Sequence, residues 1–335
     1  MNDPLPGHRL SLESIAAASA SIDPVFLHTP QFESADLSGA LGCSLTLKVE
    51  TANPIRSFKG RGAGYFLDEI VKRGDPRPLV CASTGNFGQA MAYVCRAHGR
   101  DLVVFADTGA NELKMGRIEE LGAEVRLEGT DFDAAKDAAR RYCDETGAWM
   151  IEDGREPEIS EGAGTIGVEL TRHQSYDAVV VPVGNGALIS GVARWVKAVS
   201  PTTRVIGVSA SGADAMAESW RGTGIVERPG VETIAEGIAV RTPVPEAIED
   251  MRPIVDEMVL VDDARMIAAM RTIHVLAGQL VEPSGATGVA AVSADPDKFS
   301  GLRVATVLTG NNLTERQIGR WLGLSPQPSI NRSAY

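Results

Sequence analysis

The sequence predicts an α/β protein built on mostly parallel sheets. Short apolar runs alternate with amphipathic stretches from residue 77 onward, and several of the runs are apolar at every position. A strand that is buried on both faces is apolar throughout, and consecutive parallel strands need a helical crossover between them. The 35 glycines and the 5% aromatic content favour close packing of helices on a sheet over an aromatic-rich sandwich.

Length and charge narrow the function classes. The chain has 335 residues, 44% of them hydrophobic, which is enough for two domains with their own cores. Its 32 basic and 44 acidic side chains give a net charge of -12, the wrong sign for coating a nucleic acid. No window has the roughly 18 to 20 apolar residues that cross a bilayer, and the first ten residues lack the pattern of a signal peptide. We therefore expect a cytoplasmic protein with neither a nucleic-acid nor a membrane partner.

The first series of elements predicts a compact three-layer unit. Apolar segments suited to strands alternate here with helical patterns, which requires a parallel sheet with right-handed crossovers. The predicted strands cover 79–82, 102–105, 123–127 and 149–151, and the predicted helices cover 87–97, 112–121 and 132–146.

A second series predicts another parallel sheet. Its strands are expected at 178–181, 204–208, 257–261 and 304–308, with helices at 189–199 and 264–277. The segment 210–253 is rich in glycine, proline and charge and has no regular period, and 325–335 is expected to be a mobile tail. The four cysteines are widely spaced, which argues against disulfides and structural zinc.

Lys59 is a candidate Schiff-base amine. It lies between Pro54, which fixes a turn, and two glycines that allow close backbone approach, with Ser57 able to cap a helix start. The positive end of a helix dipole disfavours a second positive charge, and a neutral lysine amine is a nucleophile. From this segment alone, a solvated lysine beside a helix cap is the simpler interpretation.

A glycine-rich segment at 181–191 follows a buried strand and opens a helix, where backbone N–H groups and the helix dipole bind phosphate. It lacks the lysine of a Walker loop, and Ile189 stands where the dinucleotide fingerprint has its third glycine. A single-phosphate site therefore fits better than an NAD site, although a lone glycine-rich turn is equally often structural. Segments 82–89 and 308–312 also place hydroxyls and amides at strand ends, where a helix cap and a turn explain them equally well.

Together these motifs resemble the pyridoxal-phosphate enzymes of the tryptophan-synthase-beta fold, known as fold type II. Within that superfamily they are most similar to the serine/threonine dehydratases and serine racemases. The motifs, in the family's order over roughly residues 25–315, are SFKGRGA at 57–63, STGN at 83–86, GNGAL at 184–188, EPSGA at 282–286 and TGNN at 309–312. The resemblance implies two three-layer domains: a large, discontinuous cofactor-binding domain from 1–76 and 159–335, and a small domain from 77–158.

The resemblance also implies pyridoxal 5'-phosphate as the cofactor, with Lys59 as the catalytic residue that binds its aldehyde. Asn86 would contact the phenolic oxygen, and Thr309 the pyridine nitrogen. The implied cofactor contacts are Lys59, Phe58, Asn86, Gly184, Asn185, Gly186, Ala187, Leu188 and Thr309. The implied contacts of a small amino-acid substrate are Ser83, Thr84, Gly85, Gln89 and Gly237.

The implied reaction is β-elimination by an ammonia-lyase (dehydratase) on L-threonine, L-serine or a related β-hydroxy amino acid. A neutral hydroxyl at the pyridine nitrogen leaves the ring a mild electron sink, which favours loss of a β substituent over transamination. Threonine-synthase-like chemistry, β-replacement and racemisation stay open, because they share every cofactor contact. Retention of Lys59 and of the phosphate loop disfavours a non-catalytic member of the fold.

Departures from the dehydratase pattern bear on the substrate. Phe87 stands where dehydratases usually carry His, Thr309 where they carry Ser, and Glu236 where Asp is usual, so the substrate side chain is left open. Thr84 matches a serine that exchanges a proton in the racemases. Its added methyl restricts the rotamer, so we expect slow reprotonation from that side.

The region that would hold a metal ion also departs from the family. Residues 209–211 are Ser-Ala-Ser, where the racemases carry acids that bind a divalent ion, so no metal site is expected. The resemblance ends near residue 315, which implies a short enzyme without a C-terminal regulatory domain. A homodimer is expected.

Overall fold

The computed structural model describes residues 3–110 and 112–324, so the predicted tail at 325–335 lies outside the described residues. The strands are β1 (Gln31–Glu33), β2 (Ser44–Val49), β3 (Leu79–Ala82), β4 (Leu102–Ala106), β5 (Glu124–Leu127), β6 (Trp149–Ile151), β7 (Ala178–Pro182), β8 (Arg204–Ala210), β9 (Glu257–Val261) and β10 (Arg303–Leu308). The α-helices are α1 (Leu12–Ser21), α2 (Ala35–Leu41), α3 (Lys59–Arg73), α4 (Asn86–Ala97), α5 (Glu112–Glu120), α6 (Phe132–Thr146), α7 (Pro157–Thr171), α8 (Ala187–Val199), α9 (Ala215–Arg221), α10 (Pro245–Met251), α11 (Asp263–Ala277), α12 (Pro283–Ala294), α13 (Pro296–Phe299) and α14 (Glu315–Leu322). Single 3-10 turns lie at Pro24–Phe26 and Glu236–Ile238.

The smaller sheet has the strand order β5-β4-β3-β6, and all of its strands are parallel. Successive residues of β3 point to opposite faces of the sheet. Cys81 packs into the core that includes α3 and α4, whereas Val80 packs with Ala138 and Ala139 of α6. The predicted three-layer arrangement with a parallel sheet is therefore confirmed.

The larger sheet has the order β1-β2-β10-β7-β8-β9, in which β1 is antiparallel to β2 and the other described pairs are parallel. Val179 and Val181 of β7 pack against α7, α8 and α10, and Val180 packs against α11 and α12. This sheet is also covered on both faces. The boundaries at 76/77 and 158/159 remain a prediction.

Elements that the sequence did not predict are set by packing. The apolar run of β2 is interrupted by Lys48, which is buried because its ammonium binds Glu169 at 2.5 Å. Helix α7 is rich in glycine and has low intrinsic helix propensity, yet it packs closely on α3: a Cβ at Gly162 would lie 2.6 Å from the Arg61 carbonyl oxygen.

A buried ion cluster fixes α3 in place. Arg61 is fully buried and makes two hydrogen bonds of 2.8 Å to the carboxylate of Glu50, with bonds of 2.7 and 2.9 Å to that of Glu169. Burial raises the pKa of Glu169, but Arg61 and Lys48 outweigh it and lower the pKa to about 2. Because Lys59 begins the same helix, this cluster also fixes the position of the candidate catalytic amine.

The segment 210–253, for which the sequence showed no regular period, contains α9, the turn Glu236–Ile238 and α10, joined by irregular chain. No helix in the described part of the chain is long and apolar enough to cross a membrane.

Candidate active site

A cavity of 380 Å³ opens where loops from both sheets meet. It lies at the carboxyl ends of β3 and β6 in the smaller sheet and of β7 and β10 in the larger one. Ligands of parallel α/β sheets bind at this edge. The predicted site residues that line it are Phe58, Lys59, Ser83, Thr84, Gly85, Asn86, Gly184, Asn185, Gly186, Ala187, Leu188, Gly237 and Thr309. The structure therefore brings together every predicted site residue except Gln89.

Lys59 is the first residue of α3, as the sequence predicted for a helix start. Phe58, at the N-cap position, makes no side-chain capping bond, and the Ser57 hydroxyl accepts from the Lys59 N–H at 3.4 Å. Phe58 N–H donates to the Thr309 carbonyl oxygen at 3.1 Å, which ties the helix start to the end of β10. The Lys59 ammonium lies 4.7 Å from the Phe58 ring centroid and 2.5 Å from Asp153 Oδ2.

The glycine-rich segment forms the turn between β7 and α8. Helix α8 begins at Ala187, two residues before its predicted start, so the segment ends in the free N–H groups of a helix N-terminus. Gly186 has φ +93°, a conformation that favours glycine. A Cβ at Gly184 would lie 2.5 Å from the Gly237 carbonyl oxygen, so this backbone contact requires glycine.

We expect Gly186→Asp to weaken cofactor binding by about tenfold or more, because it adds a negative charge beside the phosphate and strains the left-handed backbone. Gly186→Ala separates the two effects and should weaken binding less. Fluorescence titration of the wild type and both variants measures the dissociation constant of pyridoxal 5'-phosphate and so tests this order. Unchanged cofactor affinity in Gly186→Asp would contradict the phosphate assignment.

The loop after β3 turns tightly into α4. The Ser83 hydroxyl oxygen accepts hydrogen bonds from Gly85 N–H at 3.2 Å and Gly88 N–H at 2.9 Å, which hold the turn and leave its O–H as a donor. Thr84 lines the cavity together with Gly85. Gln89 is one turn further along α4, is buried, and its Nε2 has no hydrogen-bond partner among the described residues.

A polar network that the sequence did not reveal fixes Asn86. Its Nδ2 donates to Glu282 Oε1 at 2.7 Å, and its Oδ1 accepts from Asn312 Nδ2 at 2.7 Å. Asn312 N–H also donates to Glu282 Oε2 at 3.1 Å. Burial raises the pKa of Glu282, against the opposing effects of Lys114 and these hydrogen bonds. An amide nitrogen has two hydrogens, so Asn86 keeps one N–H for a ligand.

Charged side chains on one wall of the cavity were also missed. Glu152 and Asp153 follow β6 directly, and Glu152 is paired with Lys136 of α6. The only signal in the sequence was their place at the carboxyl end of a predicted strand.

Similarity to known proteins agrees with this geometry. The family profile described as pyridoxal-phosphate dependent enzyme matches residues 22–310. The chain belongs to that family. A relative from Thermotoga maritima named L-threonine ammonia-lyase is 36% identical over 313 residues, covering 93% of this chain and 78% of the relative.

Solved structures of two other enzymes match most of the chain. A threonine deaminase from T.th. is 32% identical with a TM-score of 0.83, covering 91% of this chain and 99% of the other. Maize serine racemase is 26% identical with a TM-score of 0.85, covering 93% and 96%. These likenesses confirm the fold class.

Pyridoxal 5'-phosphate is the cofactor of this pyridoxal-phosphate dependent enzyme, and the residues lining the cavity fit it. The start of α8 offers free N–H donors and a helix dipole to a phosphate. The Lys59 side chain, 15% exposed, offers an amine to an aldehyde within the same cavity. The role of each individual residue remains a prediction.

Proposed function

We propose that the protein is an ammonia-lyase that acts on L-threonine, L-serine or a related β-hydroxy amino acid and releases a 2-oxo acid and ammonia by β-elimination. The observation that carries this proposal is the position of the Lys59 amine. It lies in a cavity that is also lined by the glycine-rich loop at 184–188 and by the loop at 83–86, which carries hydroxyl and amide side chains. The names of the ammonia-lyase from Thermotoga maritima and the deaminase from T.th. point to the same reaction.

Lys59 is the base of this reaction. Its Nζ removes the proton from the substrate α carbon and returns a proton to the departing β hydroxyl, which leaves as water. Asp153 Oδ2, 2.5 Å from Nζ, orients the amine. One amine on one face of the substrate therefore performs both proton transfers.

The bound pyridoxal 5'-phosphate supplies the electron sink that stabilises negative charge at the α carbon. Thr309 gives the site a neutral hydroxyl in place of a carboxylate, so the sink is mild and expulsion of the β hydroxyl is favoured.

The substrate carboxylate binds at the start of α4. The Ser83 hydroxyl accepts two backbone hydrogen bonds and keeps its own O–H for donation. Ser83, Thr84 and the first N–H groups of α4 are therefore the donors for an anion. Gln89, the further predicted substrate contact, lies one turn into α4 and does not line the cavity in this structure.

The test is a substrate screen with the holoenzyme. L-serine should yield pyruvate and L-threonine should yield 2-oxobutanoate, each with one equivalent of ammonium, and L-threo-3-hydroxyaspartate extends the series. L-alanine, which has no β leaving group, is the control. Absence of 2-oxo acid from all the hydroxy amino acids would overturn the proposal.

Two further expectations belong to this proposal. The enzyme is a homodimer, which light scattering tests by giving twice the mass of the chain. Its location is cytoplasmic, which fractionation of the source cells tests.

A further inference from the structure

Asp153 occupies an unusual place in the cavity. The chain leaves β6 at Ile151 and turns at Gly154, where φ is +89°. A Cβ at Gly154 would lie 2.2 Å from the Asn185 carbonyl oxygen, so only glycine lets this turn pack against the glycine-rich loop at 184–188. The turn thereby places the Asp153 carboxylate beside Lys59.

The carboxylate of Asp153 is buried and poorly satisfied. Its side chain is 8% exposed; Oδ2 binds Lys59 Nζ at 2.5 Å, and Oδ1 has no hydrogen-bond partner among the described residues. A buried carboxylate without sufficient hydrogen-bond partners is unfavourable. Because Lys59 must also serve the cofactor, a ligand that brings a donor to Asp153 is stabilised.

The neighbouring carboxylate differs. Glu152 faces three cations: Lys136, Arg140 at 3.6 Å and Arg155 at 3.4 Å. These three cations form ion pairs with Glu152. Asp153 has one ion-pair partner within the part of the chain that the structure describes, and that partner is Lys59.

The wall of the cavity has more acids than bases. Every lysine and arginine among its described lining residues is paired with a carboxylate, the pairs being Lys59–Asp153, Lys114–Glu236, Lys136–Glu152 and Arg241–Asp133. Glu282 is a fifth carboxylate. A substrate side chain with a second anionic group would meet this excess of negative charge, whereas a cationic side chain would reduce it.

We propose that Asp153 is a specificity-determining residue that binds a hydrogen-bond donor on the substrate β carbon and prefers a protonated β-amine to a β-hydroxyl. The proposal rests on the proposed β-elimination and goes beyond it, because it extends the substrates from β-hydroxy to β-amino compounds. Lys59 Nζ acts at the α carbon, and Asp153 lies 2.5 Å from Nζ, so the β substituent is within its reach. A carboxylate accepts up to about four hydrogen bonds, so it can hold Lys59 and the substrate together.

The chemistry balances for a β-amino substrate. Lys59 takes the α proton, the Cα–Cβ double bond forms, and the Cβ–N bond breaks with its electron pair leaving on ammonia. Water then hydrolyses the released enamine to pyruvate and a second ammonia. L-2,3-diaminopropanoate, which replaces the hydroxyl of L-serine by an amine, is therefore the matched probe.

The experiment compares the holoenzyme with Asp153→Asn and Asp133→Asn. Both substitutions remove one carboxylate charge from the cavity wall, but only the first removes it beside Lys59. We expect the kcat/KM ratio of L-2,3-diaminopropanoate to L-serine to fall by about tenfold or more in Asp153→Asn, the size of a charge-assisted hydrogen bond. It should change by less than about threefold in Asp133→Asn. Effects on Lys59 common to both substrates cancel in the ratio.

A binding measurement separates this proposal from the proposed function. L-2,4-diaminobutanoate and L-homoserine carry the same amine and hydroxyl one carbon further out and have no β leaving group. Calorimetry should show tighter binding of the amine by the wild-type holoenzyme and loss of that preference in Asp153→Asn. If neither β-substituted substrate releases pyruvate, the lyase proposal fails, while this comparison still decides the role of Asp153.

Three results would overturn the specificity proposal. They are an unchanged substrate ratio in Asp153→Asn, an equal fall in Asp133→Asn, and tighter binding of L-homoserine than of L-2,4-diaminobutanoate by the wild type. The binding comparison in the wild type needs no variant, so it tests the proposal even where Asp153→Asn does not fold.

Discussion

Lys59→Ala is expected to abolish 2-oxo acid release, with kcat falling by more than about 1000-fold. Under the proposed mechanism the variant loses both the covalent anchor for the cofactor and the base at the α carbon. A positioned general base alone contributes about 100- to 10,000-fold. Turnover of L-serine is the first measurement. Borohydride reduction followed by peptide mass spectrometry is the second, and it should label Lys59 in the wild type only.

Lys136→Ala is the matched control, since Lys136 lines the same cavity but is paired with Glu152. It should keep the borohydride label on Lys59. A reducible label retained in Lys59→Ala would place the covalent link on another lysine. Lys48, the next candidate from the sequence, is buried at Glu169 and does not line the cavity.

Arg61→Met is expected to lower the free energy of unfolding by about 3 to 5 kcal/mol, because it leaves Glu50 and Glu169 without their main buried partner. Arg73→Met is the control on the same helix. Arg73 is 53% exposed and binds Glu158 at 2.6 Å, so its loss should cost less than about 1 kcal/mol. Chemical denaturation of both variants measures the difference, and equal destabilisation would contradict the role of the cluster.

The same cluster sets a pH dependence. The pKa of Glu169 is about 2 in the folded protein, below its usual 4.5. The folded state therefore favours the ionised carboxylate, which contributes stability above pH 4.5 that is lost as the pH falls from about 4.5 to about 2. In Arg61→Met this acid-dependent loss should be smaller, as a series of denaturation curves across that range would show.

The sequence predicted the apolar strands and the motifs better than it predicted the neighbouring elements that hold the site in position, such as β2 and α7. Strands such as β7 are apolar because both faces are buried, so composition alone locates them. Strand β2 was missed because Lys48 interrupts it, and its partner Glu169 is 121 residues away along the chain. Helix α7 was missed because its glycines are selected by contact with α3 and not by helix propensity.

Within the candidate site, motifs predicted which residues line the cavity, and long-range contacts explain the remainder. Asn86 and Lys59 were predicted from their flanking residues. The hydrogen bond from Asn86 to Glu282 and the pairing of Lys59 with Asp153 join residues 196 and 94 positions apart. No local pattern encodes such pairs. Gln89 differs from the other predicted site residues. The motif suggested a contact between Gln89 and the substrate, but this residue lies one turn into α4 and outside the cavity lining.

The most direct test of β-elimination at Lys59 is to quantify both products in one reaction. The holoenzyme is incubated with L-serine, and pyruvate and D-serine are measured in the same samples. In the proposed mechanism, Lys59 is the base on one side, and the restricted Thr84 hydroxyl makes reprotonation from the opposite side slow. Pyruvate should therefore exceed D-serine by about tenfold or more. A yield of D-serine that equals or exceeds that of pyruvate would contradict the lyase proposal and make the protein a racemase.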